Sequence, residues 1–339
     1  MQRLTIAIPT FNRHEILKKN LPLLLRQLTP ACSLIIIDNH SNPPIELTDF
    51  PEIPENLSTI KLIRNKCNIG GNSNVLRCFE VCEDEYLWVL GDDDPVKPDA
   101  IQTIFHHIQR FPQAIFFHYF CDCPGHRKRT DYIHPTSPEE LLQAFHSIGE
   151  GLFVSTYVFK TNHFHPNLNM ANFFAFTCAP QLVLGISSFS TGNHSVLCPQ
   201  QIVSNGGPLN DPKSQGSTLL ISRSLPLILD APFSKTVRIE LIRLLENSTD
   251  DWLTPGRVFH QTILLMLSSP LGDDEKRFFQ LSCQRLFCYI RKFWPRFQLF
   301  FMKILIHFPK FSYQLLQLFY FLFKGERTGK HLLRDSKNF

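Results

Sequence analysis

Short apolar runs alternate with helix-like segments over the first 120 residues, and this alternation constrains the fold more than any other feature of the chain. The predicted strands span residues 4–9, 34–38, 60–63, 86–90 and 114–119. Apolar side chains recur at helical spacing over residues 14–28, 72–84 and 98–111. Strands separated by helices must be joined by crossovers, so we predict an α/β fold with a doubly wound, mostly parallel, Rossmann-like sheet.

Polar segments follow four of the predicted strands at the point where each strand ends. They span residues 9–13, 38–41, 64–71 and 91–94. In doubly wound sheets, ligands bind outside the carboxyl ends of the strands. The four segments therefore predict one shared ligand site at that edge of the sheet.

Three adjacent carboxylates, Asp92, Asp93 and Asp94, come directly after the fourth predicted strand. Their mutual repulsion is costly unless a cation neutralises it. Mg²⁺ or Mn²⁺ commonly bridges one or two carboxylates to the phosphates of a substrate. A solvated acidic turn is the alternative interpretation, but the position of the triplet after an apolar strand favours a metal site.

Two further features agree with a nucleotide ligand. The Gly70-Gly71 turn would let the backbone approach a ligand at the start of the following helix, although such a pair is more often simply a turn. Asp38 could accept hydrogen bonds from a base or a ribose, or it could only cap the end of its strand.

Taken in order, the four polar segments resemble glycosyltransferase family 2, which has the GT-A nucleotide-diphospho-sugar fold, and in particular its bacterial surface-polysaccharide members. The resemblance covers about residues 3–120. It implies that Asp38 reads the base, that Asn68 and Gly70 lie near the base and ribose, and that Asp93 faces the ribose or the sugar. The implied donor-binding residues are Pro9, Thr10, Asn12, Arg13, Asp38, Asn68, Gly70, Asp92 and Asp93.

The resemblance also implies a metal ion. Asp92 and Asp94 would be the two ends of a DxD-type signature that holds Mn²⁺ or Mg²⁺, with Asp94 as the direct ligand. The ion would act as a Lewis acid on the departing nucleoside diphosphate.

A chain of this kind would be a hexosyltransferase-like glycosyltransferase. It would move a sugar from a nucleotide-diphospho-sugar to a glycan or lipid-linked glycan acceptor, with inversion, in surface polysaccharide biosynthesis. Two alternatives are a nucleotidyltransferase of similar fold and an inactive membrane-associated scaffold. The first usually has a Gly-rich loop after its first strand, which residues 9–13 lack, and the intact acid triplet argues against the second.

An inverting enzyme of this family needs a general base for the acceptor hydroxyl. No Asp or Glu lies between Glu150 and Asp211, so the acid pair that the family resemblance leads one to expect is missing. We predict Asp211 as the base. The alternatives are Asp122, His163, His165 and His194.

The last part of the chain differs from the rest in charge. Residues 276–339 hold 13 Lys and Arg against two acids, a net charge of +11, and the other residues carry −7. Aromatic side chains lie among these basic residues, and the longest uncharged run between Lys276 and Lys324 has 13 residues, too short to span a bilayer as a helix. Basic and aromatic faces are typical of interfacial helices. We therefore predict peripheral attachment to the inner leaflet; packing on the catalytic domain is the alternative, and nucleic-acid binding is a weaker one.

The predicted domain organisation is a GT-A catalytic domain over residues 1–217 and a helical, basic-aromatic region over residues 218–339. Residues 199–217 are predicted to form a long loop that could close over the site. The ten cysteines form no pair of CxxC knuckles, which argues against structural zinc. The first residues show no signal-peptide pattern, so we expect reduced thiols and a cytoplasmic location.

Overall fold

The computed structural model describes residues 2–50, 60–123, 126–206 and 224–247, together with Leu281, Arg296, Phe297 and Phe300. This part of the chain forms a seven-stranded sheet with the order β3-β2-β1-β4-β6-β5-β7. The strands are β1 (Leu4–Thr10), β2 (Cys32–Asp38), β3 (Ile60–Arg64), β4 (Tyr86–Val89), β5 (Ala114–Phe120), β6 (Tyr157–Lys160) and β7 (His194–Gln201). All neighbouring strands are parallel except β6, which runs antiparallel to β4 and β5.

Helices and short 3-10 turns connect the strands. The α-helices are α1 (His14–Leu25), α2 (Gly71–Glu80), α3 (Ala100–Arg110), α4 (Pro138–Ala144), α5 (Thr161–Phe164), α6 (Leu168–Phe173), α7 (Pro180–Ser187) and α8 (Lys235–Asn247). The 3-10 turns are Leu47–Asp49, Ile148–Gly151, Val154–Thr156, His165–Asn167, Ala175–Thr177 and Leu225–Asp230. No helix in the described residues is long and apolar enough to cross a membrane.

The predicted α/β fold with a mostly parallel sheet is confirmed. The five predicted strands are β1 to β5, and the three predicted helices are α1, α2 and α3. Strands β6 and β7 were not predicted. The predicted loop over residues 199–217 is wrong in its first residues, because β7 continues through Gln201. Strand β7 is an edge strand of the sheet. Pro199, which has no backbone N–H, is tolerated there because one side of an edge strand pairs with no other strand.

The sheet is buried on both faces, which explains why its central strands read as continuous apolar runs. Along β2, Ile35 and Ile37 belong to the core under α2, α4 and α7, whereas Leu34 and Ile36 belong to the core under α1 and α3. Side chains alternate between faces along a strand, so both faces must be apolar where helices cover both.

Helix α8 packs on the same core as the earlier elements. Leu241 and Leu244 are fully buried in the core that contains α4. Arg243 also donates a hydrogen bond of 2.6 Å to the carbonyl oxygen of Leu142. The predicted division at residue 217 stays a prediction, and the basic-aromatic tail lies almost entirely outside the described residues.

The strand order reverses at β1, which has β2 on one side and β4 on the other. Such a switch point leaves a crevice at the carboxyl ends of the strands, and ligands bind there in doubly wound sheets. The polar segments predicted to share a site follow β1, β2, β3 and β4, the four strands around this crevice.

Candidate active site

Asp92 follows β4 and is held from the β1 side of the crevice. Its Oδ2 accepts a hydrogen bond of 2.7 Å from Thr10 Oγ1, and its Oδ1 accepts one of 2.8 Å from Arg13 Nη1. Asn20 Nδ2 donates to the main-chain oxygen of Asp92 at 3.0 Å. Burial raises the pKa of the Asp92 carboxyl, although the Arg13 charge opposes this. The carboxylate cluster, defined as Asp92, Asp93 and Asp94, is thus anchored to β1 and α1 through its first member.

Asp94 is also buried, but it has no cationic partner among the described residues. Its Oδ2 accepts a hydrogen bond of 2.6 Å from Ser155 Oγ, whereas its Oδ1 has only a long contact of 3.5 Å with the Gly206 nitrogen. Burial and the neighbouring Asp93 charge raise the pKa of Asp94 to about 8. Asp94 Oδ1 can therefore still accept a strong hydrogen bond or bind a cation. The negative charge of the buried carboxylate is unfavourable without one.

Asp93 is the most exposed member of the cluster and shares the Arg13 guanidinium, with Nη1 to Oδ2 at 3.0 Å. Its main-chain oxygen lies against Gly206, where a Cβ would come within 1.4 Å of it. Only glycine fits so close to another backbone. Residue 206 therefore lies directly against the carboxylate cluster.

The donor set suits a hard divalent ion that is shared with a ligand. Among the described residues, no three His, Cys, Asp or Glu side chains come together as a metal cage. Mg²⁺ and related ions usually need only one or two carboxylates when substrate phosphates and water supply the rest. Asp94 fits the role of direct ligand, because its Oδ1 lacks a strong donor. Asp92 uses both oxygens toward Thr10 and Arg13, so it fits a supporting role.

Asp38, at the end of β2, is completely buried and well satisfied. Its Oδ1 accepts a hydrogen bond of 2.8 Å from the Ser41 nitrogen, and its Oδ2 is paired with Arg64 Nη1. Burial favours the neutral acid, but the hydrogen bonds from Ser41 and the Arg64 charge outweigh it and lower the pKa of Asp38. In this arrangement the carboxylate fixes the loop after β2.

Four asparagines form a connected amide network at the ends of β2 and β3; they are Asn39, Asn65, Asn68 and Asn74. Asn39 Nδ2 donates to Asn68 Oδ1 at 2.8 Å, and Asn39 Oδ1 accepts from the Ile69 nitrogen at 3.0 Å. Asn68 Oδ1 also accepts from the Gly70 nitrogen at 2.9 Å. The loop between β3 and α2 is therefore fastened to the end of β2.

The other half of the amide network reaches α2. Asn65 Nδ2 donates to Asn39 Oδ1 at 3.0 Å and to Asn74 Oδ1 at 2.8 Å. Asn74 Nδ2 donates to the Ile37 carbonyl oxygen at 3.2 Å. Asn39, Asn65 and Asn74 are buried, as such a network requires when water cannot reach its members.

Backbone geometry holds three other residues predicted to bind the nucleotide-sugar donor at the carboxyl ends of the strands. Asn12 has a φ of 53°, and its nitrogen donates to Ser41 Oγ at 2.8 Å, which ties the loop after β1 to the loop after β2. Gly70 has a φ of 86°, a conformation that favours glycine, and the space beside it is open. Pro9 is half-buried within β1 and pairs in register with Ile37.

Among the described residues, only one candidate for the general base, Asp122, lies at the same edge of the sheet as the site. It is exposed two residues beyond the end of β5, and its Oδ1 accepts a hydrogen bond from the Asn205 nitrogen at 3.4 Å. His163 follows the end of β6 and His194 begins β7, and both of these strand ends lie at the opposite edge of the sheet. His165 contacts the Phe79 carbonyl oxygen at 3.1 Å on that far side. Asp211 lies outside the described residues.

Several residues of the site were not predicted. Ser155 bonds both Asp94 and the Gly91 nitrogen although it lies 61 residues from Asp94 in the chain, and no local pattern marks it. Asn39 and Asn65 each come directly after a strand. That repeated position, an asparagine at the carboxyl end of a strand, is a signal that could have identified them.

Comparison with known proteins agrees with this fold. Residues 5–170 match the family model of glycosyl transferase family 2. A relative from Escherichia coli strain K12, the putative colanic acid biosynthesis glycosyl transferase WcaA, is 24% identical over 174 residues, which cover 50% of this chain and 62% of the relative. The matched regions span 31% to 62% of the length of the curated relatives.

Two solved structures share the fold. Staphylococcus aureus TarS 1–349 in complex with UDP-GlcNAc aligns with a TM-score of 0.55 and 12% identity, covering 98% of this chain and 92% of that one. The mannosyltransferase PcManGT from Pyrobaculum calidifontis, in complex with GDP-Man and Mn²⁺, aligns with a TM-score of 0.50 and 11% identity, covering 91% and 88%.

The fold and the carboxylate-lined switch point define a GT-A-type α/β protein. Residues 5–170 form a glycosyl transferase family 2 domain. The resemblance of the four polar segments to that family is thereby confirmed.

Proposed function

We propose that this protein is a metal-dependent, inverting glycosyltransferase that uses a nucleotide-diphospho-sugar donor. One observation carries the proposal. Asp94 lies buried at the β1–β4 switch point, with one oxygen lacking a strong donor and with a pKa raised to about 8, so the site favours a cation there. The TarS complex with UDP-GlcNAc and the PcManGT complex with GDP-Man and Mn²⁺ share this fold and support the proposal.

The four strand ends fit the dimensions of a nucleotide donor. Neighbouring strands are about 4.8 Å apart, so the carboxyl ends of β3 and β4 are separated by roughly 14 Å. An extended nucleoside diphosphate has a similar length. We place the diphosphate at the carboxylate cluster and the base toward β3. The proposed donor-binding residues are Pro9, Thr10, Asn12, Arg13, Asp38, Asn68, Gly70, Asp92 and Asp93. Because Asp38 is completely buried, its part would be to hold the loop after β2 in place for the base.

The proposed metal ion is Mn²⁺ or Mg²⁺, held by Asp94 with Asp92 beside it. When bound, the ion would supply Lewis-acid stabilisation of the departing nucleoside diphosphate. Arg13, within 3.0 Å of both Asp92 and Asp93, would keep these two carboxylates in place and leave Asp94 to the cation. Ser155 would orient Asp94 through its hydrogen bond of 2.6 Å.

Calorimetry with UDP and GDP, each with and without Mn²⁺, tests donor and metal binding. We expect heat of binding only when Mn²⁺ is present, and we expect one nucleoside diphosphate to be released in a screen of nucleotide-sugars. An inactive scaffold would bind neither nucleotide. A nucleotidyltransferase would instead release pyrophosphate from a nucleoside triphosphate, so product analysis separates these cases.

We propose Asp211 as the general base. Gly206 lies against the carboxylate cluster, and the five residues from there to Asp211 can span at most about 17 Å. Asp122 is the described alternative at the same edge. Loss of a general base lowers kcat by about 10²- to 10⁴-fold, without loss of nucleotide binding. If Asp211→Asn kept near-normal turnover and Asp122→Asn turned over slowly, Asp122 would be the general base instead.

We further propose that the acceptor is a glycan or lipid-linked glycan in surface polysaccharide biosynthesis, at the cytoplasmic face of the membrane. The similarity to WcaA, a putative colanic acid biosynthesis glycosyl transferase, supports the polysaccharide context. The net charge of +11 over residues 276–339 supports attachment to an anionic surface. Flotation with anionic liposomes tests this: liposome binding that persists after removal of residues 276–339 would show that the tail is not the anchor.

A further inference from the structure

Two cysteines, Cys121 and Cys123, follow β5 at the edge of the sheet where the candidate active site lies; we call this pair the dithiol. Their sulfur atoms are 2.8 Å apart, which is closer than the separation of about 3.5–4.0 Å at which non-bonded heavy atoms normally pack. The sulfur atoms of a disulfide bond are about 2.05 Å apart. A small movement of either side chain would therefore bring the two sulfur atoms to bonding distance.

The two thiols differ in their access to solvent. Cys121 is completely buried, whereas Cys123 is half-buried. A reagent from solvent can therefore reach Cys123 first, and Cys121 lies directly behind it as the thiol that completes the bond.

The environment of the dithiol keeps its protons in place. The hydrogen bond with Cys121, burial, and the nearby charges of Asp94 and Asp122 raise the pKa of the Cys123 thiol. Because the thiolate is the form that exchanges with disulfides, exchange at this site is slow at neutral pH. The equilibrium between dithiol and disulfide, rather than the rate of exchange, is therefore the property to measure.

The dithiol is connected to the carboxylate cluster through the residue between its two cysteines. Asp122 Oδ1 accepts hydrogen bonds from Cys121 Sγ at 3.7 Å and from the Asn205 nitrogen at 3.4 Å. The residue after Asn205 is Gly206, which lies against the carboxylate cluster. A disulfide would remove the Cys121 S–H that Asp122 accepts from, and it would close a small ring through the Asp122 backbone. A change in redox state is thereby passed to the residues that contact the cluster.

We propose that the dithiol is a reversible redox site, at which a small-molecule disulfide such as oxidised glutathione converts the two thiols into one disulfide and slows sugar transfer. Disulfides of proteins in reducing compartments are usually transient and redox-sensing, which agrees with this role. Formation of the bond is independent of the proposed function, whereas the slowing of transfer rests on it.

The reaction needs no other reactant. The Cys123 thiolate attacks the disulfide of the reagent, forms a mixed disulfide and releases one small thiolate. The Cys121 thiolate then attacks Cys123 Sγ and releases the second. Two protein thiols are thus oxidised, one small disulfide is reduced, and the two protons of the protein thiols pass to the released thiolates.

Equilibration with oxidised glutathione, followed by peptide mass analysis, tests formation of the bond. Cleavage after Arg110 and Arg127 yields a peptide, residues 111–127, whose only cysteines are Cys121 and Cys123. Free thiols are first blocked with an alkylating reagent. We expect the peptide from oxidised protein to carry neither an alkyl group nor glutathione, and to gain two alkyl groups when dithiothreitol is added before the block.

Release of nucleoside diphosphate from the donor measures the effect on transfer. We expect oxidised protein to be about fivefold slower, the effect of one lost hydrogen bond, and dithiothreitol to restore the rate. Cys121→Ser and Cys123→Ser cannot form the bond, so treatment with oxidised glutathione should not slow them. Cys178→Ser is the matched control, because Cys178 is also half-buried; this variant should still form the disulfide and lose rate as the wild type does.

Three results are decisive against the proposal or a part of it. Two alkyl groups, or a glutathione, on the 111–127 peptide after equilibration would overturn the redox site itself, whatever the variants do. A disulfide-bonded peptide from protein of unchanged rate would overturn the control of transfer. If reduced protein transferred no sugar from any nucleotide-sugar, the proposed function would fall and the control of transfer with it, while the peptide mass would still decide whether the disulfide forms.

Discussion

The two halves of the site differ in how complete they are without a ligand. In the amide network at the ends of β2 and β3, neutral groups satisfy one another, and Asp38 beside them has a lowered pKa. In the carboxylate cluster at β4, Asp94 has a pKa raised to about 8 and no cationic partner among the described residues. The amide network is therefore preorganised before a ligand binds, whereas the carboxylate cluster carries an unfavourable charge until a cation binds.

The difference follows from the chemistry of the groups. Amide dipoles can be fully paired with each other in a buried network, which makes the network rigid. Adjacent carboxylates cannot satisfy each other, and Arg13 balances only the first two. The unfavourable charge on Asp94 is the kind of local cost that functional sites retain because the ligand relieves it.

The strongest test of this contrast is Asp94→Asn. The amide keeps the shape of the side chain but removes the charge that a divalent ion requires, so we expect sugar transfer to fall by about 10³-fold or more and to lose its dependence on Mn²⁺. Rates of nucleoside diphosphate release at several Mn²⁺ concentrations measure this. Transfer at the wild-type rate would refute the central role of Asp94.

The same variant should not unfold the protein. Removing a buried charge with a raised pKa relieves an unfavourable interaction in the metal-free state, so the Tm of Asp94→Asn should equal or exceed that of the wild type in EDTA. A marked fall in Tm would mean that Asp94 supports the fold, and loss of transfer would then not identify a metal ligand.

The carboxylate half could be predicted from the sequence, and the amide half could be predicted only in part. Asp92, Asp93 and Asp94 are adjacent in the chain and follow an apolar run, so their repulsion is visible without a structure. The bonds of Asn39 to Asn65 and Asn68 join residues 26 and 29 positions apart. They depend on the register of β2 against β3, which the sequence does not specify locally.

The same distinction holds for the fold. Strands β1, β2 and β4 are buried on both faces, and their apolar runs were sufficient to predict them. Strand β6 has only four residues and β7 contains Pro199 and two glutamines, so neither has a clear apolar period. Their place is decided by pairing with β4 and β5, a tertiary effect that overrides local pattern.

The opposite pKa shifts of Asp38 and Asp94 give the second prediction. Asp38→Asn leaves Arg64 without its carboxylate partner, although its hydrogen bond to the Ser41 carbonyl oxygen remains, and should lower the free energy of unfolding by about 2 kcal/mol at pH 7. Because the folded-state pKa of Asp38 is lowered, its stabilisation is complete above about pH 5 and is lost as the pH falls through the folded pKa. Urea unfolding of the variant and wild type from pH 8 to pH 3 measures the difference.

Asp94 should give the reverse dependence in the same experiment. Its folded-state pKa is about 8, so the metal-free wild type loses stability as the pH rises from about 4 to 8, and Asp94→Asn does not. The stability of Asp94→Asn relative to the wild type should therefore increase with pH. If both variants showed the same sign of pH dependence, the contrast between the two halves would be wrong.

Asn65→Ala tests whether the amide network positions the loop between β3 and α2. The change leaves the buried Asn74 Oδ1 without its donor and removes one donor from Asn39 Oδ1. We expect a loss of about 1–3 kcal/mol in the free energy of unfolding. The donor KM should rise several-fold while kcat changes little, because the network contacts the loop and not the reacting atoms.

Asn172→Ala is the matched control for that change. Asn172 is exposed, and its Nδ2 donates to the Leu168 carbonyl oxygen at 2.9 Å on the surface of α6. Its removal should alter stability by less than about 0.5 kcal/mol. An equal loss in both variants, or a fall in kcat for Asn65→Ala with KM unchanged, would contradict a positioning role for the network.

Thr10→Val should have the smallest effect, because Asp92 has two donors. Valine has nearly the shape of threonine but cannot donate the bond of 2.7 Å to Asp92 Oδ2, while Arg13 still holds Oδ1 at 2.8 Å. A single lost hydrogen bond is worth about 1 kcal/mol, so kcat/KM should fall about fivefold. Thr10→Ser keeps the hydroxyl and should stay near the wild type. If Thr10→Val were as inactive as Asp94→Asn, Asp92 would need both donors, and the carboxylate cluster would be as dependent on complete internal pairing as the amide network.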